Sequence, residues 1–176
     1  MNPLTRAAEH IENMKALDAP AMAVQRAARA VFGRGRVRQV LAGEPIGHPL
    51  HPALVGVPIG AWVSASLLDV TGADEDAARR LVGFGVLAAV PTAASGAHDW
   101  LATEGAERRD GFVHALLNDL ALGLYVASWL ARRKSRRARG AALALAGSGV
   151  LGGGAWLGGH LVYSRGVGVS GRDKLR

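Results

Sequence analysis

Four long apolar runs constrain this chain more than any other feature. They are LHPALVGVPIGAWVSASLLDV at residues 50–70, LVGFGVLAAVPTAASGAHDW at 81–100, FVHALLNDLALGLYVASWLA at 112–131 and AALALAGSGVLGGGAWLGGHLVY at 141–163. A helix needs about 20 mostly apolar residues to cross the hydrocarbon of a bilayer, and each run meets that length. The second run has no charge before Asp99 and the fourth has none at all. A helix of a soluble bundle keeps a charged face toward water. Neither Ala141–Tyr163 nor His51–Leu68 has one. Short polar loops (TGADEDAARR, LATEGAERRD and RRKSRRARG) separate the runs. Loops this short make neighbouring helices run antiparallel. The expected fold is an all-α, four-helix transmembrane bundle preceded by an amphipathic helical arm.

Composition narrows the chemistry. The chain has no cysteine, which excludes a disulfide scaffold, a Cys-ligated zinc or iron–sulfur site and a cysteine nucleophile. Its net charge of +7 asks for an anionic neighbour. The apolar runs favour a lipid surface over nucleic acid, for which the basic segment carries neither aromatic interleaving nor a reader motif. Neither a nucleophile-elbow serine nor an HExxH pair is present, so independent catalytic activity is not expected. The 24 glycines suit helices that pack in lipid through small residues. Gly56–Gly60 and Gly149–Gly153 have the small-xxx-small spacing. Pro58 and Pro91 fall inside spans, where each lacks an N–H and crowds the carbonyl one turn back, so kinks are expected.

The expected organisation is a basic arm at 1–47, a membrane domain at 48–164 and a C-terminal tail at 165–176. Within the arm, Pro3–Leu17 and Ala21–Phe32 read as amphipathic helices divided by Pro20, and Gly33–Arg38 (GRGRVR) as a turn or linker. The arm suits either an interfacial helix on anionic headgroups or a solvated extension.

The histidines are distributed unevenly. His48 and His51 open span one, His98 and Asp99 close span two, His114 opens span three and His160 lies near the end of span four. Antiparallel order brings these five to one side; His10, in the arm, stands apart. His114 and Asn118 share a helical face, as do Thr92, Ser95 and Asp99. Trp156 is one turn from His160. Asp119 lies inside span three, where an ionisable group is costly and faces a partner or water. Several imidazoles at one depth suit axial ligation of haem, a non-haem metal held with Asp99, or proton relay. Interfacial capping without any cofactor is the alternative.

The segments GHPLHPALVGVPIG (47–60), TAASGAHDW (92–100), HALLND (114–119) and GGHLVYSRGVGV (158–169) resemble the bacterial membrane proteins grouped as domain of unknown function 2231. The resemblance implies four spans and a motif set of His48, His51, Asp99, His114, Asn118 and His160. Family members often carry a small residue in place of His98. They are often joined to Rieske iron–sulfur or c-type cytochrome domains, which implies a place in membrane electron transfer.

Together these readings predict a haem- or metal-binding component of membrane electron transfer. The cofactor would be haem b or a non-haem metal ion. His48, His51, His114 and His160 are the cofactor ligands expected, and His51, His114, His160 and Asp99 the metal set. Asn118, Asp99 and Trp156 would orient the imidazoles. The partners would be the bilayer and a separate Rieske or cytochrome protein. A cofactor-free structural subunit or a proton or small-solute pathway is the alternative. The expected location is a bacterial plasma membrane. Thirteen of the 21 Lys and Arg lie on the side of the tails, against eight on the other. By total the tails are cytoplasmic, by density RRKSRRARG is; the expectation is that both termini are cytoplasmic.

Overall fold

A computed structural model describes residues 2–168, and the predicted tail beyond Gly168 lies outside the described residues. The chain is all-α, with no strand among the described residues. Its helices are α1 (Pro3–Asn13), α2 (Asp18–Phe32), α3 (Gly35–Leu41), α4 (Leu50–Leu54), α5 (Gly56–Thr71), α6 (Glu75–Trp100), α7 (Gly105–Arg133) and α8 (Arg137–Tyr163), with 3-10 turns at Lys15–Leu17 and Glu44–Ile46. Four stretches are long and apolar enough to cross a membrane: Leu50–Thr71, Glu75–Trp100, Gly105–Arg133 and Arg137–Tyr163.

The last three helices run past the apolar stretches into segments expected as loops. Those segments (EDAARR, GAERRD and RARG) are rich in Ala, Glu and Arg, which are strong helix formers. Only 72–74, 101–104 and 134–136 remain as connections. The two prolines differ. Pro58 has no N–H for the carbonyl of Leu54, and the helix breaks there, between α4 and α5. Pro91 sits inside an α6 that continues to Trp100.

Two expectations for the arm are corrected. Pro20 does not divide two helices but lies in the first turn of α2, where the missing N–H has no intrahelical acceptor to lose. The GRGRVR segment is not simply a linker, because it enters α3 after Arg34.

Contacts group the chain into two compact units. The first gathers the N-terminal segment through His51, Ala93–Leu116 and the chain from Gly154 onward; the second comprises Pro52–Thr92 and Leu117–Gly153. In the second unit, buried Trp62, Ala65, Val82, Ala89, Tyr125 and Ala144 form one apolar cluster. The Trp62 and Tyr125 rings stack at 3.9 Å between centroids. The Tyr125 hydroxyl shares a 2.9 Å hydrogen bond with Ser148. Glycine supplies room for rings: a Cβ at Gly85 would collide with the Trp62 indole, and one at Gly83 with Trp129. At Gly56, Gly60, Gly149 and Gly153 an added Cβ would meet nothing within 4 Å. The spacing noted in the sequence is thus not where close packing occurs. A flat ring against a helix backbone sets the tight contacts.

In the first unit the arm is docked. Buried Gln25 donates to the Trp100 and Thr103 carbonyls at 3.0 and 3.1 Å, and Arg29 to the Leu101 carbonyl at 2.6 Å. These bonds tie α2 to the carbonyls at and just beyond the end of α6, where the Trp100 carbonyl also accepts from the Thr103 amide and hydroxyl. Ala8 and Ala21 are fully buried, so the small residues of each amphipathic helix make the contact.

Candidate metal centre

All six histidines belong to the first unit. Gly43 sets up the segment that brings in the first of the expected ligands. Its φ is +78° and a Cβ there would overlap the His48 carbonyl, so glycine is required twice over. His48 itself is exposed. His51, on α4, has Nδ1 3.5 Å from the Ser95 hydroxyl, and its ring lies where a Cβ on Gly96 would come within 2.9 Å. His114, on α7, packs the same way against Gly158 of α8, where a Cβ would come within 2.8 Å of the ring. Its Nδ1 is 2.9 Å from the Gly154 carbonyl. A carbonyl only accepts, so Nδ1 carries the proton. Asp99 lies 3.6 Å from the adjacent His98.

His160 is held elsewhere. Its ring stacks on Trp156 at 5.7 Å with a 13° tilt, and its Nε2 is 3.1 Å from Glu12 Oε1 of the arm. Asp110, on α7, completes the group. One ligand atom from each of Glu12, Asp110 and His160 lies within 4.8 Å of the others. Among the described residues this trio gathers as a metal-ligand group, whereas His51, His114, His160 and Asp99 do not gather as one. Asn118 falls in the second unit.

Three helices position the trio. Arg109 Nε donates to the backbone carbonyl of Glu12 at 2.8 Å, and its Nη1 to Asp18 at 2.7 Å, which pins the end of α1 beside α7. Arg165 donates from Nε to Glu12 Oε1 at 3.2 Å. Burial would raise the Glu12 pKa, but the hydrogen bonds and charges of Arg165 and His160 outweigh it and hold the carboxyl below its ordinary value. The same contact raises Arg165 above the usual guanidinium value. Asp110 is fully buried, and neither of its oxygens receives a hydrogen bond. An open groove of about 310 Å³, lined by Trp156, Gly159, His160, Tyr163 and Ser164, flanks the imidazole.

Glu12 and Asp110 were not among the ligands expected from sequence. Asp110 stands four residues before His114, one turn up the same helical face, and that spacing is the signal that could have marked it. For Glu12 the only signal is an acid on an amphipathic helix, which does not single it out.

Searches of curated proteins and of solved structures returned no match. Residues 47–171 match a family described as predicted membrane protein (DUF2231), so α4 to α8 and two of the three gathered ligands, Asp110 and His160, fall inside the match while Glu12 lies outside it. The chain belongs to this family of predicted membrane proteins.

Proposed function

We propose that the protein is a metal-binding component of membrane electron transfer, in which Glu12, Asp110 and His160 hold one divalent cation. The observation that carries this reading is the Asp110 carboxylate, fully buried and without a hydrogen-bond donor. A carboxylate buried without hydrogen-bond donors carries a desolvation cost, which the neighbouring charges of His160 and Arg165 offset only in part. A cation beside it removes that cost. Two carboxylate oxygens and one imidazole nitrogen suit Mn²⁺, Fe²⁺ or Zn²⁺ better than a soft, thiolate-seeking ion. Trp156 and Arg109 support the set by fixing the His160 ring and the Glu12 backbone. An open groove flanks the His160 imidazole.

The electron-transfer part of the proposal rests on the Rieske and cytochrome domains to which relatives are joined. None of the 176 residues is a cysteine, so the electron partner in this proposal is a Rieske or cytochrome domain that carries its own ligands. The location proposed is a bacterial plasma membrane with both termini cytoplasmic.

A second reading makes His51 and His114 ligands of a haem. It is favoured by the His114 Nδ1–Gly154 bond, which leaves Nε2 as the lone-pair nitrogen, the arrangement that orients metal-binding imidazoles. The metal trio is preferred because its ligand atoms already converge.

Elemental analysis of protein purified in mild detergent without chelator separates these readings. About one divalent ion per chain is expected, lost in Asp110→Asn and retained in Asp99→Asn, with helicity by circular dichroism unchanged. A Soret band removed by His114→Ala supports haem instead. Wild-type protein that stays free of metal after loading overturns the proposal.

A further inference from the structure

The second unit ends in a concentration of charge. Arg79, Arg80, Arg132, Arg133, Lys134, Arg136, Arg137 and Arg139 are set against the acids Asp69, Asp74, Glu75 and Asp76. The acids are already engaged. Asp69 pairs with Arg132, Asp74 caps α6 by accepting from the Asp76 and Ala77 amides, Glu75 lies 3.5 Å from Arg137, and Asp76 lies 2.9 Å from Arg79. A groove of about 190 Å³ opens between the ends of α6 and α7, lined by Arg79, Arg80, Trp129 and Arg133 and by no acidic side chain. Arg133 lies 4.9 Å over the Trp129 ring, a cation–π contact that holds the guanidinium at the rim. Gly83 lets the indole lie close against α6.

From this groove we infer a binding site for the phosphate of an anionic phospholipid. Two features point to a lipid rather than a free anion. Arg79 and Arg80 precede the apolar stretch of α6 and Arg133 closes α7, both helices long and apolar enough to cross a membrane, and Trp is a residue of the membrane interface. Arg80, Phe84 and Leu87 follow one another down a single face of α6, with Phe84 54% and Leu87 72% exposed. A charged head above an apolar lane matches a phosphate followed by an acyl chain. Clustered arginines attract an anionic headgroup by charge alone, whichever leaflet they face. The inference is independent of the metal centre, which uses residues of the other unit.

Native mass spectrometry of the whole protein, exchanged into detergent with equal phosphatidylglycerol and phosphatidylcholine, tests it. Wild-type protein is expected to retain phosphatidylglycerol selectively. Arg80→Gln/Arg133→Gln should lose roughly 30-fold in that affinity, from about one unit of headgroup attraction per arginine. Arg80→Lys/Arg133→Lys should keep most of it, and circular dichroism should show both variants folded. Equal retention of the two lipids by wild type overturns the inference. So does an unchanged affinity in the glutamine variant, or complete displacement of the lipid by millimolar inorganic phosphate, which would assign the groove to a free anion.

Discussion

Replacing Arg132 by Met should destabilise the protein far more than removing any surface ion pair. Arg132 closes a two-pronged bond on Asp69, with Nη1–Oδ1 at 2.8 Å and Nη2–Oδ2 at 2.5 Å. The two side chains are 3% and 11% exposed. Its Nε donates to Ser128 at 3.2 Å, and Ser128 donates to the Gly140 carbonyl at 2.7 Å. Loss of the guanidinium leaves the Asp69 carboxylate buried and unpaired, a change worth about 3–5 kcal/mol. At about 2–4 °C per kcal/mol for a chain of this size, the midpoint should fall by roughly 6–20 °C. The Arg38–Glu44 pair is the control: its side chains are 45% and 32% exposed, so Glu44→Gln should cost less than about 1 kcal/mol. The double variant Asp69→Leu/Arg132→Met removes both charges and should recover most of the loss, because no unpaired ion remains. The assay is thermal unfolding in one detergent followed by circular dichroism. A single variant as mild as Glu44→Gln, or a double variant no better than the worse single, refutes the reasoning.

Other outcomes follow from the same contacts. Gly158→Ala places a methyl against the His114 ring and should cost about 1–3 kcal/mol, while Gly149→Ala meets open space and should be neutral or stabilising by up to ~1 kcal/mol; paired melts check both. Gln25→Ala strips one donor from two carbonyls and should release the arm, read as faster limited proteolysis between Phe32 and His48. The Glu12 carboxyl is held below its ordinary value of 4.5, so its contribution to arm docking is complete above that pH and is lost as pH falls through the lower folded-state value. Proteolysis across an acid series should show this loss, and should show no loss between neutrality and that value.

The spans were legible because burial in lipid demands long uninterrupted apolar runs, and Leu50–Val70 or Ala141–Tyr163 can hardly be read otherwise. The one-sided distribution of histidines was legible too, since short loops fix which helix ends meet. Rotation about each helix axis was not. His160 therefore could not be seen to turn toward Glu12, nor Asp99 to lie beside His98. The Glu12 contact spans almost the whole chain, and no periodicity records that Arg109 grips the Glu12 carbonyl. Asp110 was hidden among the charged residues of LATEGAERRD, where neighbours such as Arg108 and Arg109 make an acid look solvated. The glycines that pack, Gly85 and Gly96, have no distinguishing spacing; their role depends on which ring stands opposite.

Electron paramagnetic resonance of Mn²⁺ added to the purified protein reports whether Glu12, Asp110 and His160 hold a cation. One tightly bound Mn²⁺ per chain is expected, with echo modulation from an imidazole nitrogen that disappears in His160→Gln, and with binding itself lost in Asp110→Asn. Manganese that remains in the free aqueous form, or a bound signal untouched by both substitutions, would contradict it.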